Sequence, residues 1–130
     1  LVSEIRNTYA STAEQQVTVS LDVDEITVPA KKSIPVGIIV NELITNSYKY
    51  AFSEKKAGSI DVSMKLADGK NLLITVTDNG RGIPAEVAEK KKFGFGLRLV
   101  EIFAEQEEGT FEIQRENGTR AAVTLAGVKK

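Results

Sequence analysis

An apolar stretch from Pro35 to Phe52, PVGIIVNELITNSYKYAF, constrains the fold of this chain more than any other segment. It predicts a helix with its proline in the first turn, where a missing N–H costs little, and with Ser33 as the N-cap. At 100° per residue, Glu42, Asn46 and Lys49 project within roughly 60° of one another. An acid, an amide and an amine are therefore expected along one line of this helix.

The other side of the same helix is predicted to face the core. The residues expected there are Val36, Ile39, Val40, Leu43 and Ser47. A helix that is apolar nearly all round is expected to be buried, and buried polar groups need partners. Two interpretations remain open at this point: a bound ligand with its own metal supplies those partners, or neighbouring backbone satisfies the polar groups of an ordinary core helix.

The composition excludes several kinds of site. The 130 residues include no histidine and no cysteine, which rules out a Ser-His-Asp triad, histidine-ligated zinc and a thiolate nucleophile in this chain. A net charge of −1 gives no global attraction to nucleic acid or to a membrane. The length fits one domain, and because the sequence begins at Leu1 without an initiator methionine, we expect a fragment of a longer protein.

Hydrophobic periodicity and turn dipeptides predict the remaining elements. Strands are expected at 17–23, 59–67, 71–77, 109–115 and 119–126, and helices at 1–13 and 97–108. The Asp68-Gly69 and Asn117-Gly118 dipeptides each lie between two strands and predict hairpins. The segment from Pro84 to Lys92 is expected to form one helical turn or to be irregular. Hairpins imply antiparallel pairing, so the predicted fold is α+β, a two-layer sandwich with a mixed, mostly antiparallel sheet covered by helices on one face.

A glycine-containing loop follows the strand that ends near Thr77. It begins with Asp78 and reads DNGRGIP. A carboxylate at a strand end can accept a hydrogen bond from an exocyclic amine such as that of adenine, and the glycines permit close backbone approach. The alternative is an ordinary Asp-Asn-Gly turn.

A second glycine motif, FGFGL at Phe93–Leu97, opens the predicted C-terminal helix. Its backbone N–H groups and the positive end of the helix dipole can bind phosphate. It lacks the third glycine of the dinucleotide fingerprint and the Gly-Lys-Ser/Thr ending of a P-loop. The alternative is a flexible loop that follows a solvated lysine run, and the segment before Phe93 could act as a lid. A last short motif, Gly118-Thr119-Arg120, enters the final strand.

Taken together and in this order, NELxxNxxKYA, DNGRGIP, FGFGL and GTRAAVTL resemble the ATP-binding catalytic domain of bacterial sensor histidine kinases. That domain belongs to the superfamily shared with gyrase, the heat-shock chaperone ATPases and the mismatch-repair ATPases. The resemblance extends from about Ser33 to Leu125, and the predicted first helix and strand are expected to belong to the same domain. It implies a Bergerat-type α/β sandwich and binding of ATP with Mg²⁺.

The resemblance implies a role for each matching residue. Asn46 would coordinate Mg²⁺, Glu42 would orient or activate the attacking group, and Lys49 would meet phosphate. Asp78 would accept from the adenine amine. The other expected nucleotide-binding residues are Tyr50 near the ribose or base, Gly80, Gly82 and Ile83 around the base, Gly94, Gly96 and Leu97 at the lid, and Thr119 beside the adenine. Oxygen ligands suit Mg²⁺, and phosphoryl transfer needs mainly positioning and charge neutralisation.

Kinases of this kind phosphorylate a histidine on a separate dimerisation domain, and this chain contains no histidine. The resemblance therefore implies an upstream dimerisation and histidine phosphotransfer domain as partner, a response regulator acted on indirectly, a cytoplasmic location, and no direct contact with nucleic acid or membrane. The predicted helix at 1–13 would be the end of that connection. Two alternatives remain open: a stand-alone serine kinase resembling anti-sigma-factor kinases, and a degenerate module that binds ATP without transferring phosphate.

Overall fold

A computed structural model describes residues 2–12, 15–51, 57–80, 84, 87, 93–115 and 117–128 of the chain. Side chains are described from Val17 onward, apart from those of Tyr50, Ala51 and Ala57. In chain order the elements are β1 (Val2–Thr12), β2 (Gln15–Asp24), α1 (Ala30–Ala51), β3 (Ala57–Ala67), β4 (Asn71–Asp78), α2 (Phe95–Gln106), β5 (Thr110–Arg115) and β6 (Thr119–Ala126).

The strands form one six-stranded sheet in the order β1-β2-β3-β4-β6-β5. β2 and β3 pair in parallel across the α1 crossover, and every other neighbouring pair is antiparallel. Both helices pack against the sheet, and α1 also packs against α2. The predicted α+β sandwich with a mixed sheet is confirmed.

Both predicted hairpins are confirmed, and their turns explain why. Asp68 and Gly69 have φ of 54° and 69°, and Asn117 and Gly118 have φ of 51° and 128°. Asn, Asp and Gly tolerate this left-handed region best, which is why these dipeptides indicate hairpins.

The core lies between one face of the sheet and the two helices. Burial alternates strictly along β4 and β6, as expected for strands with a single buried face. The fully buried side chains include Val17, Ile39, Leu43, Ile60, Leu72, Ile74, Val100 and Leu125. Four of the five residues predicted for the core side of α1, namely Val36, Ile39, Leu43 and Ser47, are buried, and Val40 is partly buried.

The opposite face of the sheet carries polar side chains. Lys65 Nζ donates to Asp22 Oδ1 at 2.8 Å and to Asp24 Oδ1 at 3.4 Å, and the amide of Leu66 donates to Asp24 Oδ2 at 3.2 Å. The hydrogen bond to Asp22 raises the pKa of Lys65. These contacts join β2 and β3, the parallel pair of the sheet.

Two local predictions are wrong. Residues 2–12 form strand β1, paired antiparallel with β2, instead of a helix. Val2, Ile5 and Tyr9 have helical spacing, but β-branched and aromatic residues also suit a strand. A short helix without packing partners has little stability of its own. Helix α1 begins at Ala30, so Ser33 is not its N-cap. The Ser33 hydroxyl donates to the carbonyl of Ala30 at 2.6 Å, inside the first turn.

The segment from Pro84 to Lys92 falls almost entirely outside the described residues. Within it the amide of Val87 donates to the carbonyl of Pro84 at 2.9 Å. Among the helices that the structure describes, none is long and apolar enough to cross a membrane.

Candidate functional site

The polar line of α1 and the first turn of α2 meet around a small cavity. Its volume is about 150 Å³, and its lining residues are Glu42, Thr45, Asn46, Lys49, Gly94, Phe95, Gly96 and Leu97. The two helices run antiparallel. At the end away from the cavity, Lys32 near the start of α1 forms an ion pair with Glu107, which directly follows α2. The fold therefore brings together two motifs, at 42–49 and 94–97, that are far apart in the sequence.

The chemistry of this cavity suits a polyphosphate. Lys49 supplies a positive charge, and the first turn of α2 presents backbone N–H groups and the positive end of the helix dipole. Glu42 and Asn46 are partly exposed, and in the described part of the chain neither side chain has a hydrogen-bond partner in the protein. The plain core-helix interpretation, in which neighbouring backbone satisfies these groups, therefore does not describe them.

The donor set also fits Mg²⁺. Asn46 contributes an amide oxygen and Glu42 a carboxylate to the same cavity. Mg²⁺ is usually held by one or two protein oxygens together with phosphate oxygens and water. A metal ion carried in by a nucleotide would find the hard oxygen ligands it prefers here.

Asp78 forms a second centre at the end of β4. Strand alternation turns its side chain toward the helices, on the same face as Ile74 and Val76, and it is 4% exposed. Its Oδ1 accepts from the amide of Gly80 at 3.1 Å and from the amide of Thr119 at 3.2 Å. Two backbone donors thus hold the carboxylate in place.

Glycine at position 118 makes this arrangement possible. Its φ is +128°, and a Cβ there would overlap the carbonyl oxygen of Asp78 and lie 3.2 Å from Asp78 Oδ1. Thr119 directly follows and is buried opposite Asp78 in the β4–β6 register. The β5–β6 turn therefore packs directly on the carboxylate.

Asn79 ties the loop after Asp78 back to the sheet. Its amide donates to the carbonyl of Ser59 at 3.3 Å, and its Oδ1 accepts from the amide of Ser59 at 2.9 Å. The side chain extends the β3–β4 ladder by one more pair. This contact holds the start of the glycine loop, and the sequence analysis gave Asn79 no role.

The structure groups most of the predicted site residues. Glu42, Asn46, Lys49, Gly94, Gly96 and Leu97 line the cavity, and Asp78, Gly80 and Thr119 form the carboxylate centre. Tyr50 lies in α1, and its side chain is not described. Gly82 and Ile83 lie outside the described residues.

The sequence analysis missed Thr45 and Phe95 as lining residues. Thr45 is three positions after Glu42, and residues with this spacing are neighbours on one face of a helix, so the helical pattern could have identified it. Phe95 lies inside the FGFGL motif, but the prediction gave roles only to the glycines and Leu97 of that motif. Its side chain is 83% exposed.

Comparisons with known proteins agree with this geometry. The family described as histidine kinase-, DNA gyrase B- and HSP90-like ATPase matches residues 31–128. Blue-light-activated histidine kinase 2 of Erythrobacter litoralis is 31% identical over 84 residues, which cover 65% of this chain and 24% of that protein. Anti-sigma F factor of Heyndrickxia coagulans is 29% identical over 92 residues, covering 62% of this chain and 60% of that protein.

Among solved structures, the histidine kinase domain of the Erythrobacter litoralis EL346 blue-light activated histidine kinase superposes with a TM-score of 0.77. The identity is 26%, and the match covers 85% of this chain and 51% of that chain. The chain thus spans only part of the length of each of these relatives.

Proposed function

Because the chain belongs to the family of histidine kinase-, DNA gyrase B- and HSP90-like ATPases, we propose that it is the ATP-binding catalytic module of a two-component sensor histidine kinase. In this role it presents Mg-ATP for transfer of the γ-phosphoryl group to a histidine on a separate dimerisation and phosphotransfer domain. A response regulator would then be the indirect partner, and the setting would be cytoplasmic.

One observation supports this proposal most: the cavity joins the acid, amide and amine of α1 to the glycine turn that opens α2. In the proposal Asn46 holds the metal ion, which neutralises phosphate charge when bound. Lys49 and the backbone of Gly94 and Gly96 would hold the phosphates, and the buried Leu97 contributes an apolar part of the cavity lining. Glu42 orients the attacking imidazole.

The adenine end of the proposed site centres on Asp78. Its carboxylate is held by backbone amides and can accept a hydrogen bond from an exocyclic amine. Thr119 and Gly80 flank it, while Tyr50, Gly82 and Ile83 are proposed to complete the wall around base and ribose. Guanine carries a carbonyl oxygen in place of the adenine amine, so a fixed carboxylate should repel it.

Isothermal titration of the chain with ATP, ADP and GTP, each with and without Mg²⁺, tests the proposal. We expect ATP and ADP to bind, Mg²⁺ to strengthen binding of ATP, and GTP to bind at least 10-fold more weakly, since loss of a charged hydrogen bond costs about 1.5–3 kcal/mol. A folded chain that binds no adenine nucleotide would contradict the proposal and would leave only an interaction module that has lost nucleotide binding.

The similarity to anti-sigma F factor supports a second candidate, a kinase that acts on a serine of a partner protein. Both candidates require ATP binding, so the phosphoryl acceptor separates them. The chain contains no histidine, so a histidine acceptor must be supplied by another domain or protein, and the second candidate takes its serine from a partner protein. Acid-labile phosphate on an added partner would support transfer to histidine, and acid-stable phosphate would support transfer to serine.

A further inference from the structure

Gly96 and Glu42 share one small space between the two helices. A Cβ built on Gly96 would overlap Oε2 of Glu42 and lie 3.3 Å from its Cδ. The same construction on Gly37, on the exposed side of α1, meets no atom within 4 Å. The carboxylate of Glu42 therefore lies where a side chain at position 96 would be.

This contact joins the acid to the turn that opens α2. Gly96 is the second residue of that helix, so the carboxylate lies beside its positive end, where a negative charge is favoured. The overlapping atoms belong to the far end of a flexible side chain, so a larger residue at 96 would displace the carboxylate and leave the backbone in place. What moves is the group that the proposed function assigns to the attacking nucleophile.

We infer that Gly96 is a positioning residue for Glu42: the missing side chain at 96 lets the carboxylate lie against the first turn of α2. The position of the acid is thereby coupled to that of the glycine turn over the phosphates. This inference rests on the proposed function and goes beyond a general need for glycine at a phosphate-binding turn.

A stability cycle tests the contact without any nucleotide. The four proteins are the wild type, Gly96→Ala, Glu42→Ala and the double variant. Alanine is favoured over glycine in a helix, so with Glu42 removed Gly96→Ala should raise Tm by about 2–4 °C. With Glu42 present the rise should be smaller or become a loss. Gly37→Ala is the matched control and should raise Tm equally in both backgrounds; equal shifts for Gly96→Ala would overturn the inference.

A kinetic cycle tests the positioning role. With a histidine phosphotransfer domain added as acceptor and the chain saturated with Mg-ATP, Gly96→Ala should slow phosphoryl transfer to the acceptor imidazole about 10- to 100-fold, as expected for displacement of a reacting group by about 1 Å. The Kd for Mg-ATP should change less than the rate, because alanine keeps the backbone N–H that the proposed function places at the phosphates and the displaced carboxylate acts in the reaction step. Glu42→Asp should slow the wild type but speed the Gly96→Ala variant, since its shorter side chain withdraws from the new methyl group.

The outcomes separate this inference from the proposed function. Absence of nucleotide binding sinks both, although a non-additive stability cycle would still identify the contact. If the wild type binds nucleotide, two results would overturn the positioning role alone. One is an equal loss of rate and affinity in Gly96→Ala, and the other is a failure of Glu42→Asp to restore the rate of that variant. Wild-type phosphoryl transfer to the added acceptor that is no faster than that of Glu42→Gln also overturns that role.

Discussion

At the scale of single residues, Asp78 allows the cleanest test of base recognition. Asp78→Asn keeps an oxygen for the amides of Gly80 and Thr119, so the fold should survive. It replaces the other oxygen by a donor that cannot accept from the adenine amine. We expect ATP affinity to fall about 10- to 150-fold, from loss of about 1.5–3 kcal/mol, measured by calorimetry.

The matched control for this substitution is Asp61→Asn. Asp61 lies on the neighbouring strand with its side chain exposed. The Asp61→Asn variant should bind ATP as tightly as the wild type does. Unchanged ATP affinity in a folded Asp78→Asn variant would remove the adenine role from Asp78.

Asn46 allows a test of the metal role. Asn46→Ala removes an amide oxygen from the cavity and leaves the carboxylate centre untouched. Binding of ATP in the presence of Mg²⁺ should weaken more than binding of adenosine, because only the former uses the metal ion. Asn41→Ala on the exposed side of α1 is the control and should change neither. Equal losses for both ligands would contradict a metal role.

Sequence reasoning located most site residues at this scale because a helix fixes relative angles. Glu42, Asn46 and Lys49 share a line in any regular α-helix, and all three line the cavity. It could not reveal that the carboxylate of Glu42 lies against Gly96, since that contact joins residues far apart in the chain. The same holds for Asn79 and Ser59, which only strand register brings together.

At the scale of elements, the β5–β6 turn couples the sheet to the carboxylate centre through Gly118. Gly118→Ala should destabilise the protein by about 1–3 kcal/mol for its φ of +128° alone, and the overlap with the carbonyl of Asp78 adds to that. It should also weaken ATP binding. Urea unfolding measures the first effect and calorimetry the second.

The same substitution at Gly37 should act in the opposite direction. Gly37 lies inside α1 with open space around it, so Gly37→Ala should stabilise the protein by about 0.5–1 kcal/mol. Equal changes in the free energy of unfolding for Gly118→Ala and Gly37→Ala would contradict the claim that position 118 needs glycine for its backbone conformation.

Elements defined by local chemistry were predicted well, and those defined by distant partners were not. The hairpin strands follow from Asp-Gly and Asn-Gly dipeptides and from alternation. Residues 2–12 carry a spacing that fits helix or strand, and pairing with β2 decides for the strand. The start of α1 at Ala30 also differs from the prediction. Ser33, the predicted N-cap, lies inside the first turn, where its hydroxyl donates to the carbonyl of Ala30.

At the scale of the whole molecule, the two centres of the proposed site lie on elements that pack against one another. α1 carries four of the residues that line the cavity and packs against β4, which ends in Asp78. The parallel β2–β3 pair that brackets α1 is a long-range feature, which the sequence indicated only as a mixed sheet. A ligand that engages both centres should therefore stabilise the entire fold against unfolding.

This coupling predicts a measurable shift in thermal unfolding. Mg-ATP at 100 times its Kd should raise the free energy of unfolding by about 2.7 kcal/mol, which is about 10 °C in Tm for a domain of this size. At that same concentration, Asp78→Asn, with an affinity about 10- to 150-fold lower, should retain only about 0.3–1.4 kcal/mol of the effect. Calorimetric Kd values and Tm shifts must agree through this relation. A tight Kd without a Tm shift would mean that the nucleotide also binds the unfolded chain, and the folded two-centre site would lose its support.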